Sequence, residues 1–468
     1  MKDFVKNYLM KKGYKVNTEA LEIIKECEDW YKNKVIEDFH KRRTVQGQEY
    51  TLSRMNFAKR CCSDDSNLCE IISVSPEHDG DSKSFIDQLL KSNRFESQYR
   101  KQLEKVSATG TAGAYIYLQG AKYLEHDKDK VKVQGGIIRI NYVDADCIIP
   151  LTIDNDVITE CAFCGTSRAK GKSVTTLVIF AMDSSGNYSS ETVRFDSSGR
   201  EIEGEGGILQ LGEVKPFSVL TNAEVNNLDD MEGYGLPKLY TAIPILEAMD
   251  LCYNVLYSDL DKSEKIILIN DLLCEFDSRT GKPKITPEQK KLFMFLGEKL
   301  PEQKEVIQEY NPEIRIDQIT KCFELVLSLL SMSFGYGTKK YTFENGKITT
   351  ATEYIGEKQD SMQELNKQRK NATDYISDIV HAALWFSNQF HNTGYNVTEG
   401  LAIEFDDSYI EDKTTKLEAM RADALSFPEI PWLTRQYIKE KYNLSDSEVN
   451  KYIDEGKDDP DGNENEEE

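Results

Sequence analysis

The 468 residues hold 39% hydrophobic side chains and a formal net charge of −23. That is enough apolar content for two to four packed lobes, and too acidic a balance for a surface that grips nucleic acid broadly, since neutralising phosphates takes Lys and Arg. No window approaches the roughly 18 uninterrupted apolar residues of a membrane span, and Met1-Lys-Asp-Phe-Val-Lys6 lacks the apolar core of a signal peptide, so a folded, soluble chain made in a cytoplasm is expected.

Helices open the chain to about residue 70. Thr18 precedes the amphipathic run Glu19 to Tyr31, and Ser53 is the expected cap of a run containing Met55, Phe57 and Ala58. A further helix is expected over about 83–106. The stretch Ala108 to Leu118 then turns to small residues and a strand-like pattern. Strands are expected at 137–142, 157–163, 173–180, 188–195 and 217–220, separated by Asp, Ser and Gly turns. This first lobe is α+β, with helices followed by an antiparallel sheet.

Gly233-Tyr-Gly-Leu-Pro237 punctuates the chain and starts a long helix reaching about Lys262, with a kink or late start expected at Pro244. On a 100° wheel, Glu247, Asp250, Asn254, Ser258 and Asp261 fall within about 80° of arc, while Ile245, Leu246, Met249, Cys252, Tyr253, Leu256 and Leu260 cover a wide opposite face. One narrow acidic stripe is left for water. A helix apolar around most of its circumference is contacted from several sides, either within its own chain or by neighbouring copies.

Residues 266–317 read as a small α/β insertion: apolar Ile266 to Ile269, a turn over 277–283, a short helix from Thr286-Pro287 and a strand over 306–316. Because it joins two long helices, those helices are expected to pair antiparallel. The second carries the apolar period Ile319, Cys322, Phe323, Val326, Leu329, Leu330. It stops at a glycine-bounded loop, 335–352, which holds Lys339, Lys340, Tyr341, Phe343 and Lys347 and a tight-turn signal at Asn345-Gly346. The lysines suit phosphates and the aromatics suit a backbone or base, against the plainer reading of a solvated hairpin.

From Thr352 to Phe390 a helical pattern (Met362, Leu365, Ala372, Ile376, Ile379, Val380, Leu384) runs roughly 57 Å at 1.5 Å per residue. A strand at 401–405 is expected to complete the earlier sheet. Small helices over 411–456, broken at Pro428 to Pro431 and with a cap signature at Leu444-Ser-Asp-Ser-Glu448, precede an acidic tail, 457–468, that reads as disordered.

No pattern singles out catalysis, a metal or a cofactor. Gly165-Thr-Ser-Arg-Ala-Lys-Gly-Lys-Ser173 has one residue too many between its glycines for a phosphate loop and leads into a strand where a helix is required, so it reads as a basic hairpin turn. Cys161-Ala-Phe-Cys164 lies on a strand without a second such pair, and the five histidines are far apart. The ten cysteines read as reduced packing residues.

The order of parts resembles the portal proteins of tailed bacteriophages, the head-to-tail connector family of siphophages from Gram-positive hosts. The matching residues are Met55-Asn-Phe-Ala-Lys59, Asn93-Arg-Phe95, Ala108-Thr-Gly-Thr-Ala112, Gly233-Tyr-Gly-Leu-Pro237 leading into Ile243-Pro-Ile-Leu-Glu-Ala-Met-Asp250, and Thr349-Thr-Ala-Thr-Glu-Tyr354 before the long helix. The resemblance implies a homo-oligomeric ring of about a dozen copies around a double-stranded DNA channel at one capsid vertex. It implies a wing (1–235 and 353–410), stem helices (236–265 and 318–334), a clip (266–317), a tunnel loop (335–352) and a short crown (411–456).

The acidic stripe would then line the bore, and Met249, Cys252, Leu256, Leu260, Val326 and Leu330 would form the subunit interface of the stem. Implied partners are the terminase large subunit, a head-completion adaptor, and major capsid and scaffolding proteins, with no membrane and no cofactor. The competing expectations are a minor head protein of a phage without a channel, and a nucleotide-dependent enzyme using residues 165–173.

Overall fold

The computed structural model describes residues 2–78, 80–127, 130–169, 171–229, 231–263, 265–269, 278–279, 293–295, 307–342, 351–406, 413–442, 444 and 449. The chain divides into two units, Met1–Ile403 and Glu404–Glu468. The turn over 277–283 lies almost wholly outside the described residues. So do the helix expected from Thr286, Cys274, Phe343, Asn345-Gly346, Lys347, the cap signature from Ser445 and the acidic tail.

The first unit opens with α1 (Asp3–Lys11), α2 (Glu19–Tyr31), α3 (Glu37–His40), the hairpin β1 (Lys41–Arg43) and β2 (Glu49–Thr51), and α4 (Phe57–Ser66). β3 (Ile71–Pro76), α5 (Lys83–Ser92) and α6 (Phe95–Thr109) follow. Helix α2 starts where expected, but its free amides are taken by Asn17, whose Oδ1 accepts from Glu19 N at 3.1 Å and Ala20 N at 3.2 Å. Ser53 caps nothing: its N–H and C=O bond to the Asn254 side chain, and α4 starts from Asn56 at φ 56°. The single helix expected over 83–106 is two, because Arg94 adopts φ 51° and turns the chain.

Ten strands come next: β4 (Thr111–Gln119), β5 (Lys122–Asp127), β6 (Lys130–Gln134), β7 (Ile137–Asp144), β8 (Ile148–Asp154), β9 (Val157–Ala169), β10 (Lys172–Met182), β11 (Tyr188–Phe195), β12 (Glu201–Gln210) and β13 (Phe217–Thr221). They form a seven-stranded sheet in the order β5-β6-β12-β11-β10-β9-β8 and a three-stranded sheet β13-β4-β7. All pairings within these two sheets are antiparallel except β12 with β6.

Alternation along β9 and β10 divides the large sheet's faces. Ala162, Leu177 and Ile179 meet Val5 and Leu9 of α1 on one side. Phe163 and Phe180 meet Tyr115 and Phe217 of the smaller sheet on the other, with ring centroids 5.0 to 5.7 Å apart.

The remaining elements of this unit are α7 (Lys238–Asp261), β14 (Ile266–Ile269), β15 (Phe293–Phe295), β16 (Ile307–Tyr310), α8 (Ile316–Ser333) and α9 (Ala351–His391), and the unit ends within β17 (Leu401–Phe405). Pro244 sits inside α7 without ending it or delaying its start. β14 is central, parallel to β15 and antiparallel to β16. The 41-residue α9 buries Leu365, Ala372, Ile376, Ile379, Val380 and Leu384, a face that lies on β13 and β4. β17 pairs with β3 and not with the large sheet, which corrects the expected closure.

In the second unit, α10 (Lys413–Ser426) and α11 (Pro431–Tyr442) pack together across the break at 428–430.

Candidate assembly site on two paired helices

Helices α7 and α8 pack against each other in antiparallel register. Arg315 donates to both carboxylate oxygens of Asp259 at 2.9 and 2.7 Å, and seven residues further along each helix the sulfurs of Cys252 and Cys322 lie 2.9 Å apart. Met249 and Cys252 on α7 and Phe323, Val326 and Leu330 on α8 are buried within the chain. Four of the six residues expected at a subunit interface, Met249, Cys252, Val326 and Leu330, are therefore spent inside the chain, and Leu256 is half-buried. A helix apolar on most sides does not reveal in sequence which side its own partner takes.

What the two helices leave outside is also apolar. Leu251, Val255, Tyr257 and Leu260 on α7, and Ile316, Leu325, Leu329 and Met332 on α8, are each between 42% and 62% exposed. Leu325, Leu329 and Met332 follow the 4- and 3-residue steps of one helix face, so they form a continuous stripe. The helix pair therefore keeps an apolar outer face.

The acidic stripe is divided. Asp250 is buried: its carboxylate accepts from the Met55 N–H at 2.8 Å and faces His40 Nε2 at 3.1 Å, and Asn254 holds the backbone of Ser53. These two residues fasten α7 to the segment 36–55 and do not point outward, so a stripe of five solvent-facing residues is corrected to three. Glu247 and Ser258 are half-buried and Asp261 is exposed.

Helix α8 ends in a Schellman turn: Gly335 at φ 78° gives its N–H to Met332 O, and Tyr336 gives its N–H to Ser331 O. Beyond it the chain turns inward. Tyr341 is buried, its N–H bonded to Ser331 Oγ at 3.0 Å and its ring edge-on to Phe57 at 5.3 Å. Tyr341 is thus an anchor of the loop, not a side chain that reaches out, which corrects the reading of it as a contact for something passing by. Lys339 is exposed, and Lys340 is half-buried with its ammonium 5.5 Å from the Tyr336 ring centre.

Under this loop lies an ion cluster that no spacing in the sequence announces. Lys238, at the first turn of α7 and fully buried, places its ammonium 2.9 Å from Asp65 and 2.8 Å from Glu364, joining α7 to α4 and α9. Tyr336 donates its hydroxyl to the same Asp65 oxygen at 2.8 Å. Burial pulls the Lys238 ammonium down, but the two carboxylates outweigh it and its pKa is raised above the usual lysine value. The residues come from four distant segments, and a Lys directly after Gly-Leu-Pro is the one local hint.

Residues 165–169 end β9 and 172–173 open β10, with Ala169 paired to Lys172, and Cys161 and Cys164 are on β9.

A family model described as "Phage portal protein, SPP1 Gp6-like" matches residues 14–429, and the chain belongs to that family of structural virion proteins. A solved structure described as "Neck of native GTA particle computed with C12 symmetry" is similar at a TM-score of 0.34 and 10% identity, over 85% of this chain and 89% of that chain. No curated protein matches.

Proposed function

We propose that the chain is the subunit of a closed ring that forms the portal channel at one vertex of a phage capsid, through which double-stranded DNA is packaged and later ejected. Alongside membership of the portal family, the observation that carries this reading is the exposed apolar stripe Leu325, Leu329 and Met332 on α8, together with the exposed Leu251 and Val255 on α7. Copies set side by side cover these faces against one another. Residues 236–265 and 318–334 act as the stem, with Glu247, Ser258 and Asp261 toward the bore. An acidic wall favours sliding of DNA over binding.

The loop 335–352 is the tunnel loop. Its rigid base, held by Tyr336 and Tyr341, carries Lys339 and Lys340, and with Lys347 these supply phosphate contacts that centre or retain the genome. Residues 266–317 act as the clip that meets the packaging motor, the terminase large subunit, and afterwards a head-completion adaptor. Residues 411–456 form the crown.

Changing Lys339, Lys340 and Lys347 together to Ala tests the loop. The expected result is unchanged sedimentation of the assembled protein with reduced DNA packaging or retention; normal packaging by this variant rejects the role.

A further inference from the structure

Among the described residues, Cys322 is the exposed cysteine, and it touches a buried one from the neighbouring helix: its sulfur lies 2.9 Å from that of Cys252. A disulfide bond measures about 2.05 Å, so under about 1 Å of approach separates two free thiols from a bond. The register that holds them is fixed independently by the bidentate Arg315–Asp259 pair two helical turns away. We infer that Cys252 and Cys322 form an intrasubunit disulfide that ties α7 to α8, closing in an oxidising environment and opening in a reducing one.

The two thiols differ in a way that sets the order of events. Burial, together with the neighbouring Cys322, raises Cys252 above the ordinary thiol value, so its thiolate is scarce and shielded, whereas Cys322 meets solvent. With a low-molecular-weight disulfide as oxidant, the Cys322 thiolate attacks one sulfur, the external S–S bond breaks and the first thiolate leaves. The Cys252 thiolate then attacks the Cys322 sulfur and releases the second. Two protons pass from the protein thiols to the two leaving thiolates, and the two electrons lost by the pair reduce the oxidant to two thiols. A reducing cytosol keeps the pair open, and the outside of a cell closes it. The inference does not rest on the ring.

The test uses the full chain, purified with a reductant, desalted and incubated with oxidised glutathione before acid quenching, blocking with maleimide and intact-mass and peptide analysis. The expected protein carries two fewer maleimide groups than a reduced control blocked in the same way, has a Cys252 peptide joined to a Cys322 peptide, remains a single-chain species on a non-reducing gel and, when treated with dithiothreitol before blocking, matches the reduced control. Cys252→Ser should instead accumulate one stable glutathione adduct on Cys322, and Cys322→Ser should stay unmodified at Cys252. A wild-type protein that stops at the Cys322 adduct, that links two copies through Cys322, or that stays reduced at both positions overturns the proposal.

Discussion

Gly110 and Gly235 stand backbone to backbone: a Cβ on Gly110 would lie 2.0 Å from the Gly235 carbonyl oxygen, and one on Gly235 would lie 2.3 Å from that of Gly110. Gly110 also has φ 78°, a conformation closed to most side chains, and its carbonyl accepts from Asn222 N at 2.9 Å. The crossing brings the chain leaving α6 against the chain entering α7, and so sets where the paired helices depart from the sheets. Replacing Gly235 with Ala pits a methyl group against backbone that cannot swing aside. We expect a loss of at least about 3 kcal/mol, read as a lower urea midpoint or insoluble expression; a wild-type midpoint would show that the crossing is loose.

The Lys238 cluster predicts a second loss. Lys238→Met leaves Asp65 and Glu364 facing each other in the interior, a change that costs about 3–5 kcal/mol when one partner of a buried pair is removed. The sign with pH follows from the raised lysine: its contribution is complete below the ordinary lysine value near about 10.4 and disappears only as pH climbs past it. Wild type is therefore expected to remain more stable than the variant at about pH 9; a variant as stable as wild type there contradicts the assignment.

Glu224 behaves oppositely. Burial first, and then the neighbouring Glu364 and Asp65, raise its carboxyl in spite of Lys238, so its charged form opposes folding at neutral pH. A carboxyl raised in the folded state contributes below its unfolded value and loses that contribution as pH rises. Glu224→Gln should raise the melting midpoint at neutral pH and give no advantage below about pH 4, where the wild-type carboxyl is protonated in both states; the change is kept small by solvent at this half-buried site.

The two sides of the helix pair should respond differently to the same substitution. Leu325→Asp with Leu329→Asp puts charge on the outward stripe and should leave the subunit folded, by circular dichroism, but unable to assemble. Met249→Asp puts an unpaired charge into the interior and should unfold the chain itself. Unchanged sedimentation of the double variant would remove the stripe from the interface.

Much of this architecture was legible in the sequence, and the failures have physical causes. β11 spans Tyr188–Phe195 as its alternation predicts, and α7 and α8 fall within a residue or two of the expected ends, because period and punctuation are local signals. Arg94 splits one expected helix in two and Asn56 delays the start of α4, both from the left-handed region without a glycine to announce it. The wheel correctly found α7 apolar nearly all round. It could not say that Asp250 and Asn254 would be spent on Met55 and Ser53, some 200 residues earlier in the chain, nor that Met249 would be buried and Leu251 exposed. Tyr341 looked like a reaching aromatic, and only its packing on Phe57 shows it to be an anchor.

The central claim is that identical copies close into a ring through the outer faces of α7 and α8. Negative-stain electron microscopy of the purified full-length protein tests it most directly. The account predicts annular particles with a central stain-filled hole, lost in the Leu325→Asp, Leu329→Asp variant. Particles that remain single compact bodies without a hole at every concentration would contradict it.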